Sequence, residues 1–335
     1  MTVVDAPPTA ARKHEPGKST DTRHQGRLAA SLLTPTMAVL LIVIGYPILA
    51  AIYQSLFTQG QTVDADGFVV EGTQFVGVDN YAAIFSGDAG VRFWNAFYNT
   101  TFFTVVCVLI EVVIGVAMAL IMNKAFKGKG LIRASILVPW AIPTVVSALL
   151  WRWIFDANGI ANDVLGTQIL WSVDGWQAKL AVIIADTWKT APFIGLLVLA
   201  GLQVIPADIY EAAKIDGANA WKQFWTMTLP LVKPALLVAV LFRILDNLRM
   251  FDLPFVLIGA QKPSVETVSI LAFLENSNTR FGPAAAYSFL LFLYVVIVAY
   301  LFVKLLGADV IGDARAKTPK TNRRTRRLVA RGDQP

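Results

Sequence analysis

The sequence contains six long apolar segments, and this pattern restricts the fold more than any other feature. A membrane-spanning helix needs about 20 mostly apolar residues, and each segment is long enough. With 56% hydrophobic and 16% charged residues, the chain is too apolar for a soluble protein of its size. The sequence therefore predicts an all-α integral membrane protein with six transmembrane helices. These helices are expected at residues 28–57, 93–123, 131–155, 179–203, 231–258 and 284–306.

The distribution of Lys and Arg predicts the orientation of these helices. Loops that remain in the cytoplasm carry an excess of both residues. Acidic residues dominate the loops 58–92 and 156–178, which are therefore expected outside. Six spans then leave both termini in the cytoplasm, and the first span is a retained helix rather than a cleaved signal peptide. The basic cytoplasmic regions are the tails 1–27 and 307–335, both predicted to be disordered, and the loops 124–133 and 204–233.

The sequence lacks the residues that an enzyme or an ATPase would need. Its two histidines, His14 and His24, lie in the N-terminal tail, and its one cysteine, Cys107, lies in an apolar segment. They cannot form a catalytic triad or a metal site in the membrane domain. Residues 16–20 end like a phosphate-binding loop, but Arg12 stands where that motif needs its first glycine. We therefore predict that the chain is not an enzyme and has no cofactor of its own. Its net charge of +6 reflects membrane topology rather than nucleic-acid binding.

The loop between the fourth and fifth spans has the local signals of two short helices. Pro206 suits a first helical turn, and Asp208 complements the positive end of a helix. Gly217 can adopt the left-handed conformation that ends a helix. A second helical piece, residues 220–228, is expected to lead into Pro230 at the start of the fifth span. The two short helices, with a sharp bend, would lie across the cytoplasmic face. The first helix could lie in a groove of a partner protein or rest on lipid as an amphipathic helix.

The same loop resembles a known motif. Its segments Glu211-Ala212-Ala213, Asp216-Gly217-Ala218 and, after a fixed gap, Leu229-Pro230 with Pro234 are similar to the EAA loop of ATP-binding-cassette (ABC) importer permeases. The similarity is to the maltose-permease-like branch, which handles carbohydrates. It covers residues 28–306 and implies the type I importer permease fold. Further segments that fit this branch are 75–81, 139–143 and 151–155, the last followed by Gly159 and Asn162.

The resemblance implies a multi-subunit importer. This chain would stand beside a second homologous permease, above two copies of a cytoplasmic ATPase subunit that bind ATP and Mg, with a solute-binding (lipo)protein docking outside. The substrate would be a sugar, a disaccharide such as trehalose or a maltose-like one. In the coupling helix, Glu211 and Gly217 would sit in a cleft of the ATPase, with Ala212, Ala213 and Asp216 as the packing surface. Closure of the ATPase pair would switch the pore between inward-facing and outward-facing states.

Polar residues in the fourth and fifth spans are candidates for the sugar pathway, since such residues are costly at membrane depth. Asp186, Thr190 and Phe193 fall on one helix face, and Arg243 and Asn247 lie one turn apart. By distance from the EAA glutamate, these positions resemble those that line the maltose site in the family. They supply hydrogen-bonding groups for hydroxyls and a ring for the apolar face of a sugar.

Several alternatives stay open at the level of the sequence. Asp186 could pair with Lys189, and Arg243 with Asp246, simply to neutralise charge within their own helices. Glu111 lies in the second span without an obvious partner. A secondary transporter driven by an ion gradient could use Asp186, Glu111 and Asp246 as ion carriers, but it leaves the EAA loop unexplained. A membrane receptor or scaffold would leave the polar fifth span without a purpose.

Overall fold

The computed structural model describes residues 21–63, 69–124 and 127–307, which form fourteen α-helices, three π-helical segments and two strands. Residues 1–50 and 51–335 form two separate units, and the candidate site lies in the second. The α-helices are α1 (Asp21–Leu40), α2 (Tyr46–Ser55), α3 (Asp79–Ile84), α4 (Gly87–Asn123), α5 (Lys129–Ala141), α6 (Thr144–Ile154), α7 (Ile160–Leu165), α8 (Trp176–Gln203), α9 (Ala207–Ile215), α10 (Ala220–Gln223), α11 (Leu229–Asn247), α12 (Asp252–Leu257), α13 (Val268–Ser277) and α14 (Phe281–Phe302). The strands are β1 (Phe57–Val63) and β2 (Val69–Phe75), and the π-helical segments are Leu41–Gly45, Phe224–Thr228 and Val303–Gly307.

Within the described residues, five helical segments are long and apolar enough to cross a membrane. A sixth crossing requires that the bent pair α5 and α6 count as one span. The predicted set of apolar helices is thus confirmed, although the third is broken and the ends of others differ. The five continuous segments are Ala29–Ser55, Gly87–Asn123, Trp176–Gln203, Ala220–Asn247 and Phe281–Leu306.

In the unit of residues 1–50, α1 begins at Asp21, inside the tail predicted to be disordered. A π-helical turn, Leu41–Gly45, follows α1, and the apolar side chains of this region are exposed. Exposed apolar side chains on a helix of this length suit a lipid environment. The remainder of the predicted tails, residues 1–20 and 308–335, lies outside the described residues, so their disorder stays a prediction.

The third predicted span is not one continuous helix. The helices α5 and α6 meet at an angle of 96° around Ile142 and Pro143. Proline has no N–H to donate and disfavours helical geometry in the preceding residue, so Ile142 is extended with φ −74° and ψ 133°. The carbonyl oxygen of Ile142 accepts a hydrogen bond of 3.0 Å from Lys189 Nζ. A backbone group that the break leaves without a helical partner is therefore satisfied by a side chain of α8.

The fifth span begins earlier and ends earlier than the sequence suggested. The helix is continuous from Ala220 to Asn247, so the predicted second short piece and the fifth span form one helix. The π-helical turn Phe224–Thr228 precedes this proline, and hydroxyls of that turn bond free carbonyls, as in the 2.7 Å contact from Thr226 to Lys222. At the other end α11 stops at Asn247, where a turn leads into the short helix α12.

A β-hairpin occupies part of the predicted outer loop 58–92. Its antiparallel register pairs Phe57 with Phe75. The side-chain amide of Asn80, from one of the family-like segments, donates to the carbonyls of Ser55 and Phe57 at 2.7 and 2.8 Å. A Cβ at Gly282 would overlap the Phe57 carbonyl oxygen, so α14 packs directly against the start of this hairpin. The segment 75–81 thus ties the hairpin to the helices.

Where α4 begins, the loop between α12 and α13 is held by polar bonds. Arg92 donates two hydrogen bonds, of 2.9 and 2.6 Å, to the carboxylate of Glu266. Asn99 donates to the Glu266 carbonyl at 3.0 Å. Hydrogen bonds from the side chain and the backbone of Ser264 hold the pKa of Asp174 below its usual range. The loop is therefore fixed to both α4 and the segment before α8.

The centre of the second unit is the contact of α4 with α8, which requires glycine. A Cβ at Gly115 would lie 2.8 Å from the side chain of Ile194 and 2.9 Å from the carbonyl oxygen of Ala191. Only a residue without a side chain allows this approach. The same two helices and α11 carry the polar residues of the candidate site.

We expect Gly115→Ala to destabilise the protein by about 1–3 kcal/mol, because the added methyl group overpacks the contact of α4 with α8. Gly130→Ala in α5 is the matched control, since a Cβ there meets nothing within 4 Å. Alanine in an open helical position is neutral or stabilising by up to about 1 kcal/mol. Thermal unfolding of the purified variants, followed by tryptophan fluorescence, would measure both, and equal melting temperatures would contradict the packing argument.

Candidate functional site

Three helices bring polar side chains together inside the apolar bundle. Glu111 comes from α4, Asp186 and Thr190 from α8, and Arg243 and Asn247 from α11. All five are buried, although their helices are otherwise apolar. Buried polar groups need partners, and these residues are partners of one another.

The strongest contact in this cluster is a buried ion pair between Glu111 and Arg243. Arg243 Nε lies 2.7 Å from Glu111 Oε2, and Arg243 Nη2 lies 2.8 Å from Oε1. This is the two-pronged geometry that suits a planar guanidinium and a carboxylate. Glu111 is 0% exposed and Arg243 is 3% exposed. The carboxylate for which the sequence offered no partner is therefore paired with a residue of the fifth span.

The remaining polar groups extend this pair. Asp186 Oδ2 accepts a hydrogen bond from Arg243 Nη2 at 3.0 Å. The amide of Asn247, oriented with its oxygen toward Arg243, accepts from Nη2 at 3.0 Å and donates to Asp186 at 3.1 Å. The hydroxyl of Thr190 lies 2.7 Å from Glu111 Oε1 and 2.6 Å from the Asp186 carbonyl oxygen, so it can donate to either. The five side chains form one connected network across three helices.

The two local pairings that the sequence allowed have different outcomes. Arg243 does pair with Asp246 in its own helix, at 2.5 Å. Lys189 instead donates to the Ile142 carbonyl at the break between α5 and α6. Arg243 therefore has local and long-range carboxylate partners together, whereas Lys189 caps a neighbouring helix.

A cavity of about 470 Å³ opens beside this network. Four of the network residues line it, namely Asp186, Thr190, Arg243 and Asn247, and so does Phe193. These are the five residues that the sequence analysis proposed for the substrate pathway, a role that stays a prediction. The cavity also has aromatic walls that the sequence analysis did not assign to the site. Phe193 stacks with Trp140 at a ring distance of 5.8 Å and meets Phe242 edge-on at 6.5 Å. Trp140 belongs to the family-like segment 139–143, which was the available signal.

The wall of the cavity therefore combines carboxylates, an amide and cations with flat aromatic faces. The charged and amide groups can exchange hydrogen bonds with hydroxyls, and the rings can cover apolar C–H faces. Such a wall suits a polyhydroxylated molecule better than a purely apolar one. The other residues that line it are Thr144, Lys189, Leu245, Asp246, Arg249, Met250, Phe251, Asp252 and Leu253.

The predicted coupling helix is α9 with the turn that follows it. Glu211, Ala212, Asp216 and Gly217 are exposed, but Ala213 is 1% exposed. Ala213 therefore packs inside this chain, whereas the sequence analysis had placed it on the packing surface for a partner. Its carbonyl accepts a 2.9 Å hydrogen bond from the amide of Ala218, which closes the end of the helix.

Gly217 ends this helix for a conformational reason. Its φ of +74° lies in the left-handed region, while a Cβ there would meet nothing within 4 Å. Tyr210 is half-buried, and its hydroxyl lies 3.2 Å from that of Thr228. This contact joins α9 to the turn that starts the fifth span, so α9 is attached to the helix that carries Arg243.

Comparison with known proteins defines the class of this chain. Residues 111–311 match the family of binding-protein-dependent transport system inner membrane components, and the chain belongs to this family. It is therefore a permease subunit of an ABC importer rather than an enzyme. No finding supports the alternative of a secondary transporter driven by an ion gradient.

Particular relatives are more informative than the family alone. The trehalose/maltose transport system permease protein MalF of Thermococcus litoralis is 36% identical over 287 residues, which cover 84% of this chain and 94% of that protein. The trehalose transport system permease protein SugA of Mycobacterium tuberculosis is 37% identical over 289 residues, covering 85% and 91%.

A similar solved structure establishes the fold. It is a bacterial alginate ABC transporter in complex with an alginate pentasaccharide-bound periplasmic protein. The TM-score is 0.69 with 20% identity, over 85% of this chain and 94% of that chain. At this identity the likeness concerns the fold alone, which is the predicted type I importer permease fold.

Proposed function

We propose that this chain forms half of the translocation pathway of a disaccharide importer. The observation that carries the proposal is the cavity of about 470 Å³, in which a polar network faces a stacked pair of aromatic rings. Small-molecule sites commonly occupy about 300–1,000 Å³, so a disaccharide is of suitable size. The two relatives described above have trehalose or maltose in their names, which supports a neutral disaccharide of that kind.

The orientation in the inner or plasma membrane follows from charge. Lys and Arg concentrate in the tails and in the loops 124–133 and 204–233, which belong in the cytoplasm with both termini. The coupling helix α9 then faces the cytoplasm, and the β-hairpin faces outward. Two copies of an ATPase subunit bind below α9 and supply ATP and Mg, a second homologous permease completes the pore, and a solute-binding protein docks outside.

The mechanical link between ATP and the cavity is the continuous helix from Ala220 to Asn247. One end adjoins α9 through the contact of Tyr210 with Thr228, and the other end carries Arg243 and Asn247 on the cavity wall. Movement of α9 as a rigid body therefore reaches the cavity without an intervening hinge. This arrangement suits alternating access, in which closure of the ATPase pair reorients the pore.

Affinity purification from solubilised membranes tests the composition of the complex. The tagged chain should co-purify with an ATPase subunit and a second permease, identified by mass spectrometry. In liposomes, the complete complex with its solute-binding protein should hydrolyse ATP faster when trehalose or maltose is present. A chain that purifies alone and moves solute with an ion gradient would overturn the proposal.

Substitutions in the cavity test the substrate pathway. Asp186→Ala and Asn247→Ala should each reduce sugar uptake about tenfold or more, because each removes hydrogen-bonding groups from the wall, and should leave the complex assembled. Asn162→Ala is the matched control, since Asn162 is a buried asparagine that bonds Trp171 Nε1 at 2.9 Å away from the cavity. Uptake kinetics of reconstituted complexes measure the effect, and wild-type kinetics in both cavity variants would assign these residues a structural role.

A further inference from the structure

Glu111 does not line the cavity, yet it is bonded to two residues that do. Its carboxylate accepts two hydrogen bonds from Arg243 and lies within hydrogen-bond distance of the Thr190 hydroxyl. Arg243 and Thr190 both face the cavity. Glu111 therefore lies directly behind the cavity wall and orients two hydrogen-bond donors of that wall, Arg243 and Thr190.

The hydrogen bonds around Arg243 also determine how much of its positive charge is compensated by carboxylates. Glu111 occupies Nε and one hydrogen-bonding direction of Nη2, so the edge of the guanidinium that faces α4 is neutralised from behind. On the cavity side, Asp186 shares Nη2 with Glu111, and Asp246 bonds Nη1. A paired guanidinium of this kind has little attraction left for an anionic ligand, because its charge is already compensated.

We propose that Glu111 is a positioning residue that fixes Arg243 and Thr190 and thereby makes the cavity prefer neutral over anionic sugars. This inference rests on the proposed sugar transport. Removal of the Glu111 charge makes the site more positive by one unit and frees guanidinium donors. In Glu111→Gln, an NH₂ group replaces one of the two acceptor oxygens. It cannot accept a hydrogen bond from Arg243, so the two-pronged contact is disrupted.

The test measures equilibrium binding of radiolabelled trehalose by a scintillation proximity assay. The sample is the purified complex of both permeases with the ATPase subunits in nanodiscs, without the solute-binding protein. Competition with unlabelled trehalose and with trehalose 6-phosphate measures the preference for neutral sugar. In Glu111→Gln, the affinity for trehalose should fall about tenfold, as expected for loss of bonds to a charged group. The ratio of the affinity for trehalose to the affinity for trehalose 6-phosphate should also fall about tenfold.

Glu266→Gln is the matched control, because it weakens another two-pronged arginine–glutamate pair, with Arg92, that does not line this cavity. Its affinity ratio should equal that of the wild type. An unchanged ratio in assembled Glu111→Gln would overturn the inference, since a purely structural role changes assembly and not selectivity.

If Glu111→Gln does not assemble, the trehalose affinity of Glu111→Asp tests the inference instead. The shorter carboxylate keeps the charge but loosens Arg243, so trehalose affinity should fall about tenfold at an unchanged ratio. Wild-type affinity in Glu111→Asp would overturn the inference. Failure of the proposed function looks different, because the wild-type complex would then bind neither labelled trehalose nor labelled maltose, and the inference would fall with it.

Discussion

Arg243→Met is expected to destabilise the protein by about 3–5 kcal/mol and to abolish transport. The loss is large because Glu111 is 0% exposed and would keep a buried charge without its partner. Asp186 would lose a partner at the same time. The melting temperature and yield of the purified complex measure stability, and sugar uptake in liposomes measures transport.

A double variant separates these two effects. In Arg243→Met with Glu111→Met, both charges of the closest pair are replaced by apolar groups, which should recover part of the stability. Recovery is incomplete because Asp186 still lacks its guanidinium partner. Transport should remain absent, because the cavity still lacks the guanidinium. Arg249→Met is the control for stability, since Arg249 is exposed and its replacement should change stability by no more than about 0.5 kcal/mol. A stable Arg243→Met protein would show that the ion pair is dispensable.

Gly217→Pro and Glu211→Ala are expected to uncouple ATP hydrolysis from transport while the chain still inserts into the membrane. Proline cannot adopt the φ of +74° at Gly217, and it lacks the N–H that donates to the Lys214 carbonyl at 3.0 Å. The turn after α9 would therefore be displaced from the ATPase. Uptake should fall at least about tenfold, as for loss of a charged hydrogen bond, at a preserved yield of the permease.

Controls for this prediction come from the same chain. Gly128→Pro places a proline at another left-handed glycine, with φ +84°, that precedes α5 rather than α9. Asp208→Ala removes a carboxylate from the first turn of α9. Both should retain coupling, measured as sugar transported per ATP hydrolysed. Normal uptake in Glu211→Ala and Gly217→Pro would refute the coupling role of α9.

Much of the site was visible in the sequence, but its connections were not. Spacing on the helices placed Asp186, Thr190 and Phe193 on one face, and the structure finds all three on the cavity wall. Glu111 had no partner within its own helix, because the partner lies 132 residues away in the sequence. A local pattern holds no information about a contact of that separation.

The sequence by itself determined the class of fold, the positions of the apolar helices and the family. Partition into a membrane depends on the summed hydrophobicity of about 20 consecutive residues, which is a local quantity. The EAA segment is likewise contiguous, so its residues could be recognised without a fold.

Only the tertiary structure decided which polar residues meet and where helices break. The bend at Pro143 is tolerated because Lys189 of α8 bonds the Ile142 carbonyl, and the hairpin is held because Asn80 bonds its first strand. In each case the deciding free energy comes from a group that is distant in sequence, since buried polar groups and close helix contacts are satisfied only when the whole bundle assembles.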